Sequence, residues 1–314
     1  MFQQNIYSEL LKFIGLFGFG IILVYIIWYI SKHFKILKKS YDMFNLEFMK
    51  PIELEYGKKY PMGHEHFKII HYPQYSSFFN QFNNWIYLIY HQSNTNYPLG
   101  IIGSCCFANI SNNIYYICDL KKLDDKIIKN ITFQFVVLAW IQIYKQQIIN
   151  LLYLKIDLMN LYMPKFFGIV MEPNPIISIL TYKYGYVRLC RLNLYKITFD
   201  KILKYYDFFD KIFPGFFIVE GYKKFVMESN GSVIPTYHIA QNSDQTICSI
   251  QNFIQFELIE HNVEIMFCLL DDNLQIIKAF ELINIYPINS MSVIGSQIIR
   301  PNEFDFNKIK TYMI

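Results

Sequence analysis

Two kinds of apolar pattern divide the chain. Residues 13–30 read FIGLFGFGIILVYIIWYI, without a charge, between Lys12 and the pair Ser31 and Lys32. At ~1.5 Å per residue this run makes about 27 Å of helix, enough to cross the hydrocarbon core of a bilayer. Its twelve Leu, Ile, Val and Phe residues contribute roughly −4 to −7 kcal/mol on the insertion scale, less what Gly15, Gly18 and Gly20 subtract. The run ends in Trp28 and Tyr29 and not in small residues suited to cleavage, which predicts a retained transmembrane helix and not a signal peptide. Lys32, Lys35, Lys38 and Lys39 follow it, against Lys12 ahead of it. That bias predicts a single-pass protein in the lipid bilayer, with everything after residue 31 on the cytosolic side. The competing reading is a hydrophobic helix buried in the soluble part.

Residues 1–40 are thus an anchor with a basic flank, and 41–64 read as a polar linker. From residue 65 the apolar positions come in short runs broken by polar turns. The pattern predicts a helix over 74–82 and strands over 85–90, 99–107 and 114–120. A segment from about 132 to 144 is apolar nearly all round, which suits a helix packed on a sheet. A strand at 166–171, a helix at 175–184 and a strand at 187–197 complete an α+β layer order over 65–200. Beyond it, 216–227 and 233–240 flank Ser229, Asn230 and Gly231, while 263–270 and 274–285 flank Asp271, Asp272 and Asn273. Both pairs predict hairpins, so 201–314 is expected to be a β-rich C-terminal region. It carries no catalytic motif and leaves room for protein partners.

Composition narrows the function classes. The chain has 314 residues, 53% hydrophobic and 17% charged, with 26 Tyr and 29 Phe, which excludes a disordered or highly charged tail protein. The net charge of +4 comes from scattered lysines, so no nucleic-acid partner is expected. The six cysteines form no C-x-x-C pair, and read as buried thiols in a reducing compartment. HEHFKIIH places His64, His66 and His71 around Glu65. It lacks the helical H-E-x-x-H spacing, so no metal is expected there. Ser104 lacks the flanking glycines of a nucleophile elbow. Adjacent Cys105 and Cys106 on a strand point to opposite faces.

The order of elements resembles the GNAT superfamily of acyl-CoA N-acyltransferases. The residues that carry the resemblance are YPLGIIGS at 97–104, IYYICDLKKLDDKIIKNIT at 114–132 and GIVMEPNPIISILTYKYGY at 168–186. Asn174, Ile177, Leu180, Gly185 and Tyr186 fall where that family has an Asn, two small or apolar helix positions, and a Gly followed by an aromatic. The resemblance implies a GNAT-like mixed sheet flanked by helices over residues 65–200, acetyl-CoA or another acyl-CoA as cofactor, and a primary amine as acceptor. It implies that two strands, ending near Asp119 and Met171, are parallel neighbours that splay apart.

The family's phosphate-cradling turn carries an Arg or Gln and two small residues. Here the segment is Lys126, Ile127, Ile128, Lys129, Asn130, Ile131 and Thr132. Asn130 tolerates a positive φ, Lys126 and Lys129 offer point charges where the family has an arginine, and the β-branched Thr132 crowds the phosphate. The resemblance puts a carboxylate base at Asp119, the alternative being a turn cap. The acidic phenol would fall at Thr181, so Tyr182 or Tyr184 would have to supply it. The competing function is a catalytically inactive GNAT-like structural or interaction module at a membrane, such as a virion protein.

Overall fold

A computed structural model of the chain describes residues 28–30, 32–38, 46–62, 64–93, 96–111, 113–123, 131–154, 164–172, 185–198, 216–241, 264–270 and 274–296, with isolated positions at 182, 201, 204–205 and 299. The strands, in chain order, are β1 (Phe34–Lys38), β2 (Lys59–Met62), β3 (Glu65–His71), β4 (Asn84–His91), β5 (Ile101–Ser111), β6 (Ile114–Lys122), β7 (Lys165–Met171), β8 (Tyr186–Thr198), β9 (Phe216–Met227), β10 (Val233–Gln241), β11 (Glu264–Leu270) and β12 (Asn289–Ser296). The helices are α1 (Met49–Tyr56), α2 (Ser77–Asn80), α3 (Ile131–Leu154) and α4 (Leu274–Leu282).

The described strands form one mixed 12-stranded sheet in the order β1-β4-β5-β6-β7-β12-β8-β11-β10-β9-β3-β2. The order reads as two lobes related across the antiparallel β12–β8 pair. From either outer edge inward come four antiparallel strands, then one parallel junction: β6 beside β7 in the first lobe, β10 beside β11 in the second. The lobes exchange their last strands, since β8 follows β7 in sequence but pairs with β11, and β12 follows β11 but pairs with β7. The C-terminal region thus contributes a strand between β7 and β8.

Alternation explains which faces are buried. On β4, Trp85, Tyr87 and Ile89 join one core and Ile86, Leu88 and Tyr90 another, so both faces of this strand are covered. The first core lies between the lobes. It gathers Tyr87, Tyr116 and Phe167 from the first lobe, Phe67, Leu194 and Phe225 from the second, and Phe78, Phe79 and Phe82 from α2 and its exit. The second core lies under α3, whose Ile131, Phe135, Leu138, Ala139 and Ile143 meet Leu88, Ile102, Phe107 and Phe166. Gly103 permits that approach: a Cβ there would lie 2.8 Å from Ile131 Cδ1.

Three expectations differ from the structure. Residues 49–56, inside the expected linker, form α1, which buries Met49, Ile52 and Glu53. The expected strand at 274–285 is α4, because Ala279, Phe280 and Ile283 recur at helical spacing and are buried together. The helix over 74–82 shortens to α2. The run at 13–30 lies outside the described residues except for helical Trp28, Tyr29 and Ile30, as does most of the helix expected at 175–184. Among the described residues no helix is long and apolar enough to cross a membrane.

Candidate functional site

The parallel ladder of β6 and β7 has four rungs, the last joining Ile117 to Gly168. Beyond it β6 stays with β5 and β7 with β12, so the two strands part company as the resemblance implies. At that point β6 bulges. The register against β5 slips between Ser104 and Cys106, and Asp119 takes φ +52. Ile114, Tyr116 and Cys118 face the inter-lobe core, so simple alternation would send Asp119 to the opposite face. The bulge turns its carboxylate back.

There Asp119 meets two phenols and an ammonium group. The Tyr75 hydroxyl donates to Asp119 Oδ2, as does Tyr87 at 2.5 Å, and Lys121 Nζ donates to Oδ1. Lys121 Nζ also donates to the Tyr75 hydroxyl at 2.8 Å and lies 3.5 Å from Glu53 Oε1. Ser104 Oγ is 3.2 Å from the Tyr87 hydroxyl. Glu53 binds His71 twice, accepting from its backbone N–H at 2.8 Å and lying 2.5 Å from Nδ1. Tyr75, Phe78 and Phe79 surround the imidazole, with ring centroids 4.5, 5.2 and 5.3 Å away. Lys223 lies over the Phe78 ring at 4.1 Å.

The charges balance within the cluster. Burial would raise the Asp119 carboxyl, but Lys121, His71 and the hydrogen bond from Tyr75 together outweigh it and hold it at about 2. Burial also opposes ionisation of Glu53, and His71 with Lys121 keeps its carboxyl below the usual range. Lys121 itself is raised, since Asp119 and Glu53 overcome its desolvation. Burial lowers His71 despite Glu53, and lowers Lys223. A neutral His71 that gives its Nδ1 proton to Glu53 keeps a bare lone pair on Nε2, and that buried nitrogen has no hydrogen-bond partner. Burial and then Asp119 push Tyr75 and Tyr87 well up, so both stay protonated. Burial likewise pushes up Cys105 and Cys106, leaving them as packed thiols. Glu53, His71 and Asp119 offer ligand atoms within 4.8 Å of one another, and the Lys121 ammonium already supplies the positive charge among them.

Of the residues singled out in the sequence, Asp119 is in this cluster. Ile131 and Thr132 open α3, the first buried beneath Gly103 and the second exposed. Tyr182 is 91% exposed, and the phenols that touch Asp119 are Tyr75 and Tyr87. Lys126, Lys129, Asn130, Asn174 and Tyr184 lie outside the described residues. Sequence reasoning missed Glu53, Tyr75, Tyr87 and Lys121, and met His71 only as part of a rejected metal motif. Lys121 was within reach, since it stands two residues from Asp119, the spacing at which an unbulged strand puts side chains on one face.

No family model matches the sequence, and no curated protein does. Solved structures similar to the chain include a tandem GNAT protein from the clavulanic acid biosynthesis pathway, 8% identical, with a TM-score of 0.40 over 68% of this chain and 82% of that one. A GCN5-related N-acetyltransferase from Sphaerobacter thermophilus is 6% identical, with a TM-score of 0.37 over 67% and 80%.

Proposed function

We propose that the chain is an acyl-CoA-dependent N-acyltransferase acting on a primary amine, its site lying where β6 and β7 separate. One observation carries the reading: the parallel ladder stops at Ile117 and Gly168, and a bulged carboxylate stands two residues further on. The residues present fit an anionic cofactor. α3 opens beside the gap, its first turn holds no acidic residue to repel a phosphate, and Thr132 is exposed there. Lys126, Lys129, Asn130, Ile131, Thr132 and Asn174 would hold the pyrophosphate and the pantetheine arm. When bound, acyl-CoA supplies an electrophilic thioester carbonyl.

The chain's own residues then handle the proton. A group held at about 2 is too acidic to take a proton from an amine, so Asp119 acts as an anchor that fixes Lys121, Tyr75 and Tyr87. His71 Nε2 would accept the proton that the amine releases, once substrate binding uncovers this buried nitrogen. Glu53 holds the Nδ1 side and stabilises the imidazolium. Tyr182 or Tyr184 remains the proposed donor to the departing thiolate.

Residues 13–30 are proposed as a membrane span with the folded part on the cytosolic side, on the strength of the uncharged run and its basic flank. A second reading has its own support, since a charge-balanced buried cluster can join two lobes with no ligand at all. Calorimetric titration of the full chain with acetyl-CoA, followed by a free-thiol assay with primary amines, decides between them. Binding and amine-dependent thiol release are expected, with His71→Gln lowering turnover about 10²- to 10⁴-fold while leaving cofactor affinity unchanged. No binding of acetyl-CoA or of longer acyl-CoAs leaves the structural module standing.

A further inference from the structure

α3 is apolar on both sides. Its inner face fills the core against the sheet, yet Phe133, Val137, Trp140 and Ile141 are 57%, 36%, 40% and 39% exposed. These positions step by four, three and one along the helix, so they form a single outward stripe about 12 Å long at ~1.5 Å per residue. Tyr144 extends it, its ring 4.6 Å from that of Trp140. The 24 residues of α3 include no Asp or Glu.

The chain's N-terminal segment arrives beside this helix. Tyr29 and Ile30 pack on the same core as the inner face of α3, and the Phe34 ring lies 5.8 Å from that of Phe135. β1 then runs alongside, bringing Lys38 close enough to Lys145 for the two charges to repel and add to the lowering of Lys38 by burial. Ahead of Trp28 stand 27 further residues, among them the uncharged run from Phe13. An apolar stripe with Trp and Tyr at one end, lysines beside it and no acidic residue suits the headgroup boundary of an anionic membrane.

We propose that the outer stripe of α3 lies in the surface of the bilayer that the N-terminal segment enters, so that the folded part rests flat on the membrane with the start of α3 at the lipid boundary. The proposal rests on the membrane span proposed for residues 13–30 and is independent of acyl transfer, so an inactive module would use the same face. A helix apolar all round needs a second apolar partner for its outer side, and lipid supplies it.

The test uses full-length Trp28→Phe protein in vesicles of phosphatidylserine and phosphatidylcholine. Two tryptophans remain, Trp85 in the core at 1% exposure and Trp140. Lipids brominated near the headgroup end of the acyl chain should quench at least a third of the fluorescence, and Trp28→Phe/Trp140→Phe should lose that quenching. Equal quenching in both proteins, or none in either, overturns the proposal. A Trp140→Cys variant separates a second copy from lipid: disulfide-linked dimer in more than half of the protein at high lipid-to-protein ratio would overturn it, and monomer is expected. If the N-terminal segment itself covers the stripe, Trp140 stays unquenched, which also overturns it.

Discussion

The two lobes share an order of strands but differ at the junction that matters. In the first lobe, two residues past the last parallel rung is Asp119; in the second, two past the rung at His238 is Ala240. The first junction opens beside α3, and its bulge turns a carboxylate into the space between the lobes. The second has an alanine at the matching register position. What the second lobe contributes instead is chemistry at a distance: β3 ends in His71, and α1 supplies the Glu53 that holds it. The site is therefore built across the pseudo-symmetry, with one lobe opening the gap and the other supplying the imidazole. An isolated GNAT-like unit over 65–200 would lack both Glu53 and the strand β12 that supports β7.

The sharpest way to break this asymmetry is to remove the cation that links the lobes. Lys121→Met leaves Asp119 and Glu53 buried, close together and without their shared counter-charge. Removing one partner of such a pair costs about 3–5 kcal/mol. Urea unfolding should show that loss as a lower midpoint, and a midpoint within experimental scatter of wild type would mean the cluster does not hold the lobes together.

Much of the first lobe was legible because both of its faces are covered locally. The short uninterrupted apolar runs in NWIYLIYH and IYYICDL, bounded by polar residues, mark β4 and β6, and the all-round apolarity of the α3 segment follows from burial on one side and an exposed stripe on the other. The exchange of β8 and β12 was not legible, since partner choice between strands far apart in sequence leaves no local periodicity. α1 was missed because MKPIELEY is only eight residues long and one of its buried positions is a glutamate. LQIIKAFEL is apolar at so many positions that strand and helix both fit locally, and packing on the sheet decides for the helix. His71 stood beside His64 and His66 in one motif, yet those two are exposed and His71 is buried. Its partner Glu53 lies 18 residues earlier on another element.

A milder change separates the gap from the cluster. Gly103→Ala places a methyl 2.8 Å from Ile131 Cδ1 and 3.2 Å from the Lys121 carbonyl oxygen. The Ile131 side chain, and with it the first turn of α3 that carries it, must give way, at a cost of up to about 1–3 kcal/mol for overpacking. On the proposed function, acetyl-CoA affinity should fall more than stability, because the cofactor would bind the displaced turn. Equal acetyl-CoA affinity in Gly103→Ala and wild type would place the cofactor elsewhere.

The smallest expected effect is a slope with pH, and it reports on the lobe-two side of the site alone. Burial lowers His71 below its ordinary value near 6.5. As pH falls below about 6.5 the unfolded chain takes up a proton there that the folded chain refuses, so the unfolded state binds more protons and stability declines. The decline begins near 6.5, ends at the folded value of His71, and cannot exceed about 1.4 kcal/mol per pH unit for one group. A second decline follows lower down, between the ordinary 3.8 of a carboxyl and the value of about 2 at Asp119. His91, also lowered by burial, adds to the first decline, so the informative quantity is the difference between wild type and His71→Gln. Urea midpoints measured at steps from pH 7.5 to 4.5 should fall more steeply in wild type than in His71→Gln. The two curves should run parallel again below the folded value of His71. Identical slopes across the upper window would mean that folding leaves the His71 imidazole at its ordinary value, and a shallower wild-type slope would mean that His71 carries its proton in the folded state, with the unpartnered lone pair assigned to Nε2 lost.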